Sequence, residues 1–242
     1  MTNGMLFMAL VAGSIALIAI AQFYYFLRKR DLVALNIHLQ ALFFSLFWFI
    51  IGIVWMFTGF SDFLLWKGKG PLSYNFSLLS QIGIGIALVT LIIFFHARLQ
   101  NRRALWLLFI PLMSLALIFT WSVFVFGLQV HGEAFFTNTF VLTKFSQELY
   151  AIAIVPALFV AGLMMLRALF DQRIPHIERK FVLFATLSVM VLAISGSLEE
   201  MGIATGAVIP VTRLLALASA KAAYNASTSI VEVKGKRREL VI

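Results

Sequence analysis

Two cations interrupt an otherwise apolar stretch near the end of this sequence: Arg213 and Lys221 in "VTRLLALASAKAAYNAS", residues 211–227. A charge in a hydrocarbon setting is rare and costly, and by default it marks a site. Arginine cannot shed its proton, so Arg213 must find a carboxylate, carbonyl groups or water. Glu199 and Glu200, in "SLEEMG", are the nearest acids in sequence. An Arg213–Glu199 or Arg213–Glu200 pair would clamp the two segments that carry them. Such a pair serves equally as structural glue or as one wall of a polar pocket. Lys221 has two readings of its own: a Schiff-base lysine that holds a chromophore, or a four-carbon stem that carries its ammonium to the inner interface.

Other reactive side chains fall in less demanding places. His38 and His96 are expected near the inner face, where an edgewise haem is conceivable and an interfacial histidine is the simpler reading. His131 and His176 lie in loops on opposite sides and cannot share a metal. No Walker loop, GxSxG, HExxH or Asp-rich diphosphate motif occurs, so a non-enzymatic protein is expected. The sequence has no cysteine, which removes disulfides, thiolate metal sites and thiol nucleophiles. No resident cofactor is expected.

These residues must be positioned by elements suited to lipid. Hydrophobic residues make up 62% of the 242 and charged ones 12%, with mean hydropathy +0.99. An average soluble domain is about 45–50% apolar and about 25% charged. Seven apolar stretches are long enough to cross a bilayer, at about 5–27, 36–60, 76–98, 104–127, 148–170, 180–198 and 204–230. They are continuous rather than alternating, which favours helices over a barrel. The expectation is an all-α, polytopic membrane protein with a single seven-helix domain over 1–233 and a short basic tail over 234–242. Gly83, Gly85 and Ala87 in "QIGIGIALV" read as helix packing, and Pro111, Pro156 and Pro210 as tolerated prolines. On this division Arg213 lies roughly 13 Å into the seventh span.

Charge sets the orientation. Arg28, Lys29 and Arg30 follow the first span, and Arg98, Arg102 and Arg103 the third. Arg167, Arg173, Arg179 and Lys180 bracket the loop after the fifth, and Lys234, Lys236, Arg237 and Arg238 follow the seventh. The opposite side has only Lys67, Lys69 and Lys144. The positive-inside rule therefore places the N-terminus outside and the C-terminus in the cytoplasm, in the plasma membrane. It also accounts for the net charge of +9 without nucleic acid. The first stretch lacks a basic leader and is expected to remain as helix one.

Two resemblances bear on function. "LRKRD" followed by "ALNIHLQALFFSLFWFIIGI", then "LLSQIGIGIALVTLIIFFHARLQNRRALWLLFIPLMSLALIFTW" and "RIPHIERKFVLFATLSVMVLAISGSLEEMGI", resemble the seven-helix membrane sensor regions of prokaryotic histidine kinases. The resemblance covers most of the chain and implies a receptor that passes a signal inward. Kinase domains are absent from the 242 residues, so a stand-alone sensor or an accessory subunit of a membrane complex, acting through a protein partner, is expected. The basic tail would contact anionic lipid or an acidic partner, or act simply as a topology anchor. "SAKAAY", Ser219 to Tyr224, resembles the chromophore stretch of microbial retinal proteins, which implies retinal on Lys221. The acid that this family places one turn earlier is Leu217 here, and the third span has no acidic residue at all. A small-solute transporter using Arg213 is the third reading.

Overall fold

The computed structural model describes residues 3–30, 33, 35–98, 102–130, 140–156, 158–159, 162–163, 166, 170, 176–201, 203–204 and 206–239. Its helices are α1 (Asn3–Lys29), α2 (Leu35–Trp66), α3 (Gly70–Arg98), α4 (Arg102–Phe126), α5 (Lys144–Leu149), α6 (His176–Glu200) and α7 (Val208–Glu239). A π-helical segment, Tyr150–Ile154, continues α5 directly. Among the described residues, four helical stretches are long and apolar enough to cross a membrane: Asn3–Lys29, His38–Trp66, Gly70–Phe94 and Arg179–Glu200. Of the fifth expected span, residues 157, 160–161, 164–165 and 167–169 lie outside the described residues, and 148–156 are helical. The backbone of α7 stays helical through Lys234, where the tail was expected to begin.

Two departures from the expected outline matter. The second and third spans are longer than the hydropathy pattern suggests, because the break between them shrinks to residues 67–69. The Lys69 N–H donates to the Leu64 carbonyl at 2.9 Å and the Gly68 N–H to the Leu65 carbonyl at 2.9 Å. Gly68 at φ 75° supplies the left-handed residue that such a helix stop requires. Asp62 is consequently a helix residue, one turn inside α2. Secondly, the architecture is not purely helical. A short antiparallel hairpin, β1 (Leu128–Val130) with β2 (Phe140–Leu142), follows α4, and Leu128 pairs with Leu142.

Successive helices pack in turn, α1 on α2, α2 on α3 and α3 on α4, and α7 returns between α6 and α1. Lipid tails are as apolar as the side chains, so fit rather than water exclusion drives this association. Glycine provides the fit. A Cβ at Gly52 would come 3.1 Å from Ala19 Cβ, and one at Gly59 would come 3.3 Å from Ala12 Cβ, along the α1–α2 seam. A Cβ at Gly83 would strike Val54 at 2.7 Å and one at Gly85 would overlap Thr120 Oγ1. The "GIG" stretch is thus a packing surface on two sides. Phe44 anchors the buried core, 5.6 Å from the Phe94 ring and 5.5 Å edge-on to Phe181.

Candidate functional site

The C-terminal end of α2, the start of α3, the C-terminal end of α6 and the start of α7 all meet at one end of the bundle. Hydroxyl ladders tie α2 to α3 there. Ser61 shares hydrogen bonds with Ser73 at 2.8 Å and Ser77 at 2.6 Å, and Thr58 with Ser80 at 2.8 Å. Beside this ladder Arg213 is 1% exposed, among the largest fully buried side chains. Its guanidinium forms a hydrogen-bonded ion pair with the Asp62 carboxylate. Its Nη1 also donates to the Met8 carbonyl at 3.4 Å, and its Nε lies 3.7 Å from Glu199 Oε2. The Trp55 ring lies 5.8 Å from the guanidinium carbon. Residues of α1, α2, α6 and α7 therefore share one cation. Fixed groups replace the water that the charge lacks.

The two neighbouring glutamates are held separately. Thr212 donates to Glu199 Oε1 at 2.6 Å. The Gln81 amide donates to both oxygens of Glu200, at 2.9 Å each. Gln81 Oε1 is buried and has no hydrogen-bond partner among the described residues. Of the two candidate partners, Glu199 lies beside Arg213, whereas Glu200 turns to Gln81 of α3. Asp62, the direct partner, lies just beyond the 36–60 apolar run, and the apolar "FLLW" after it keeps α2 helical past the acid.

A cavity of about 110 Å³ opens beside this cluster. Its polar end is walled by Thr58, Ser61, Asp62, Gln81, Glu199, Glu200 and Arg213, and its deep end by Phe47, Ile51, Leu88, Leu158 and Leu192. Phe140 and Val141 of β2 also line it, so the hairpin forms part of its wall. The hairpin is fixed by Tyr74, whose hydroxyl accepts from the Leu128 N–H at 3.1 Å and whose ring meets Phe140 edge-on at 5.4 Å. Tyr150, buried against Phe119 at 5.7 Å, adds a further wall. It opens the π-helical segment, where the Val155 N–H reaches the Tyr150 carbonyl just before Pro156. A π turn often adjusts side-chain aim at a site.

Lys221 is not part of this cavity. It is exposed on α7, with its ammonium 5.1 Å from the Tyr224 ring. Ser219, Ala220 and Ala223 occupy the buried face instead. His38 is partly buried, 6.0 Å from the Phe26 ring. His131 and the side chains of His96 and His176 lie outside the described residues. Among the described residues no three His, Cys, Asp or Glu side chains cluster as a metal site would.

No family model, curated protein or solved structure matches this chain. Fold and site together define a class only: a helical-bundle membrane protein with an arginine–carboxylate cluster beside a cavity at one end.

Proposed function

We propose that the protein is a non-enzymatic, seven-helix sensor of the plasma membrane, with its N-terminus outside and its cavity opening toward the outer half of the bilayer. The observation that carries this reading is the cavity walled by Asp62, Gln81, Glu199, Glu200 and Arg213 from four different helices. A molecule seated there touches α2, α3, α6 and α7 at once, so its binding energy acts on their relative positions. The Arg213 contacts to Asp62 and Glu199 are the joint through which such a shift passes. The resemblance to histidine-kinase sensor regions supports the same class.

The lining also suggests what is bound. Acceptors dominate the polar end: one guanidinium stands against three carboxyl groups, beside Gln81 Oε1, which has no partner among the described residues. The deep end is apolar. A short amphiphilic ligand with a donor-rich head, such as an ammonium group, meets both halves. Thermal unfolding of the purified protein with phenethylamine, phenethyl alcohol and phenylacetate tests this. The amine should stabilise most, and Glu200→Gln should remove that preference. If none of the three raises the melting temperature, the ligand-sensor reading fails.

A further inference from the structure

Lys221 lies at the middle depth of the bundle, on its outside. Gln22 of α1 bonds Ser227 of α7, and the Met8 carbonyl bonds Arg213, each pair 205 positions apart. The two helices therefore run parallel, and Lys221 is level with Ala16, halfway along α1 (Asn3–Lys29). The neighbour on the other side agrees. Glu199 of antiparallel α6 bonds Thr212, which sets Lys221 level with Met190, midway along the span Arg179–Glu200. A mid-bilayer lysine has about 15 Å of hydrocarbon on either side, and its stem reaches only about 6 Å. The side chain leans one turn inward, over the Tyr224 ring, which leaves the ammonium well short of the interface.

The surrounding face suits a neighbouring helix. Leu214, Ala218, Lys221 and Asn225 fall on one stripe of α7 at helical spacing, with Leu214, Ala218 and Lys221 exposed and Asn225 partly so. Ala218 lets a backbone approach, and Asn225 offers a hydrogen bond one turn from the charge. A positive charge in this position calls for a carboxylate at the same depth. A second copy of this chain does not provide one among the described residues. Asp62, Glu199 and Glu200 line the cavity, Glu148 lies in α5 at the cavity end, and Glu178, Glu232 and Glu239 lie at the start of α6 and the end of α7, away from mid-depth. A two-fold arrangement about this stripe would instead bring Lys221 against Lys221.

We infer that the Leu214–Asn225 stripe of α7 docks a transmembrane helix of a different protein, one with an Asp or Glu at mid-bilayer depth. This goes beyond the sensor reading, for it assigns the surface through which a partner is held.

The test uses the full chain in phosphatidylcholine bilayers, with dye-labelled, leucine-rich transmembrane peptides as probes and energy transfer as the readout. A peptide with a central Glu should associate at least about tenfold more tightly than one with central Leu or Lys. The gain should vanish when the Glu moves two turns toward either end. It should vanish also in Lys221→Leu and Lys221→Gln, whichever retains the parent melting temperature. Equal association of the Glu and Leu peptides, or a Glu preference that survives both substitutions, overturns the inference. Phenethylamine stabilisation measured on the same samples is independent of this face. Its persistence alongside a failed peptide assay would sink the docking surface alone.

Discussion

The Gln22 amide donates to the Ser227 hydroxyl at 2.7 Å, and the same amide reaches Ser45 at 3.2 Å. Gln22 is fully buried, so these bonds knot α1, α2 and α7 at the end of the bundle away from the cavity. Met8 and Arg213 repeat the α1–α7 pairing at the other end, at the same separation in sequence. Two such rungs fix α1 and α7 as parallel. Parallel first and last helices put Asn3 and Lys236 at opposite ends of the molecule, as an odd number of crossings demands.

Opposite ends become opposite compartments if the bundle spans the bilayer. The native chain has no cysteine, so single engineered ones report cleanly. Asn3→Cys should react with an impermeant maleimide on intact cells, and Lys236→Cys only after the membrane is opened. Labelling of both from one side would refute the seven-crossing topology.

Arg213 and Asp62 should show unequal costs when cut apart. Asp62→Asn leaves the guanidinium beside Glu199, whereas Arg213→Met strands several carboxyl groups around the cavity. Breaking a buried pair typically costs about 3–5 kcal/mol, more than replacing both members with apolar groups. Thermal unfolding in detergent should therefore rank the double variant Arg213→Met/Asp62→Leu above Arg213→Met, with Asp62→Asn also above it. Arg213→Met as the most stable of the three would show that the cluster does not hold the helices together.

The apolar runs mark where α1–α4, α6 and α7 lie, but those over 36–60 and 76–98 stop short of the helices Leu35–Trp66 and Gly70–Arg98. Hydropathy averages over a window, so Ser61 and Asp62 lowered the signal just where α2 continues through "FLLW". The helix stop at Gly68 depends on one left-handed glycine and two hydrogen bonds, neither of which a window registers. Arg213 was legible because a charge inside an apolar run stands out locally. Its pairing with Asp62, 151 positions away, was not, since it depends on how α2 and α7 pack. Lys221 stands out in the same way, yet it faces outward. A one-residue rotation separates it from Ala220 on the buried face, and a motif of type and spacing does not report which way a helix turns.

Gly85 makes the tightest of these approaches, against Thr120 of α4. Gly85→Ala should destabilise by about 1–3 kcal/mol through overpacking. Thr120→Ala removes the oxygen that the new methyl meets, so the pair Gly85→Ala/Thr120→Ala should recover much of the loss. Additive costs in the double variant would mean that the α3–α4 contact does not constrain Gly85.

Gly127 carries two constraints at once, and they can be separated. At φ +67° it occupies a conformation costly for other residues, and a Cβ there would clash with the Tyr74 hydroxyl oxygen. Gly127→Ala should therefore cost about 1–3 kcal/mol, part backbone and part clash. Tyr74→Phe removes the clashing oxygen, but also the acceptor for the Leu128 N–H. Added to Gly127→Ala, it should relieve the clash and leave the backbone cost, with the hairpin held less firmly. Because Val141 lines the cavity, a Val141→Cys reporter should react faster with a small maleimide in either single variant than in the parent. An unchanged labelling rate in both would show that Tyr74 does not fasten the hairpin over the cavity.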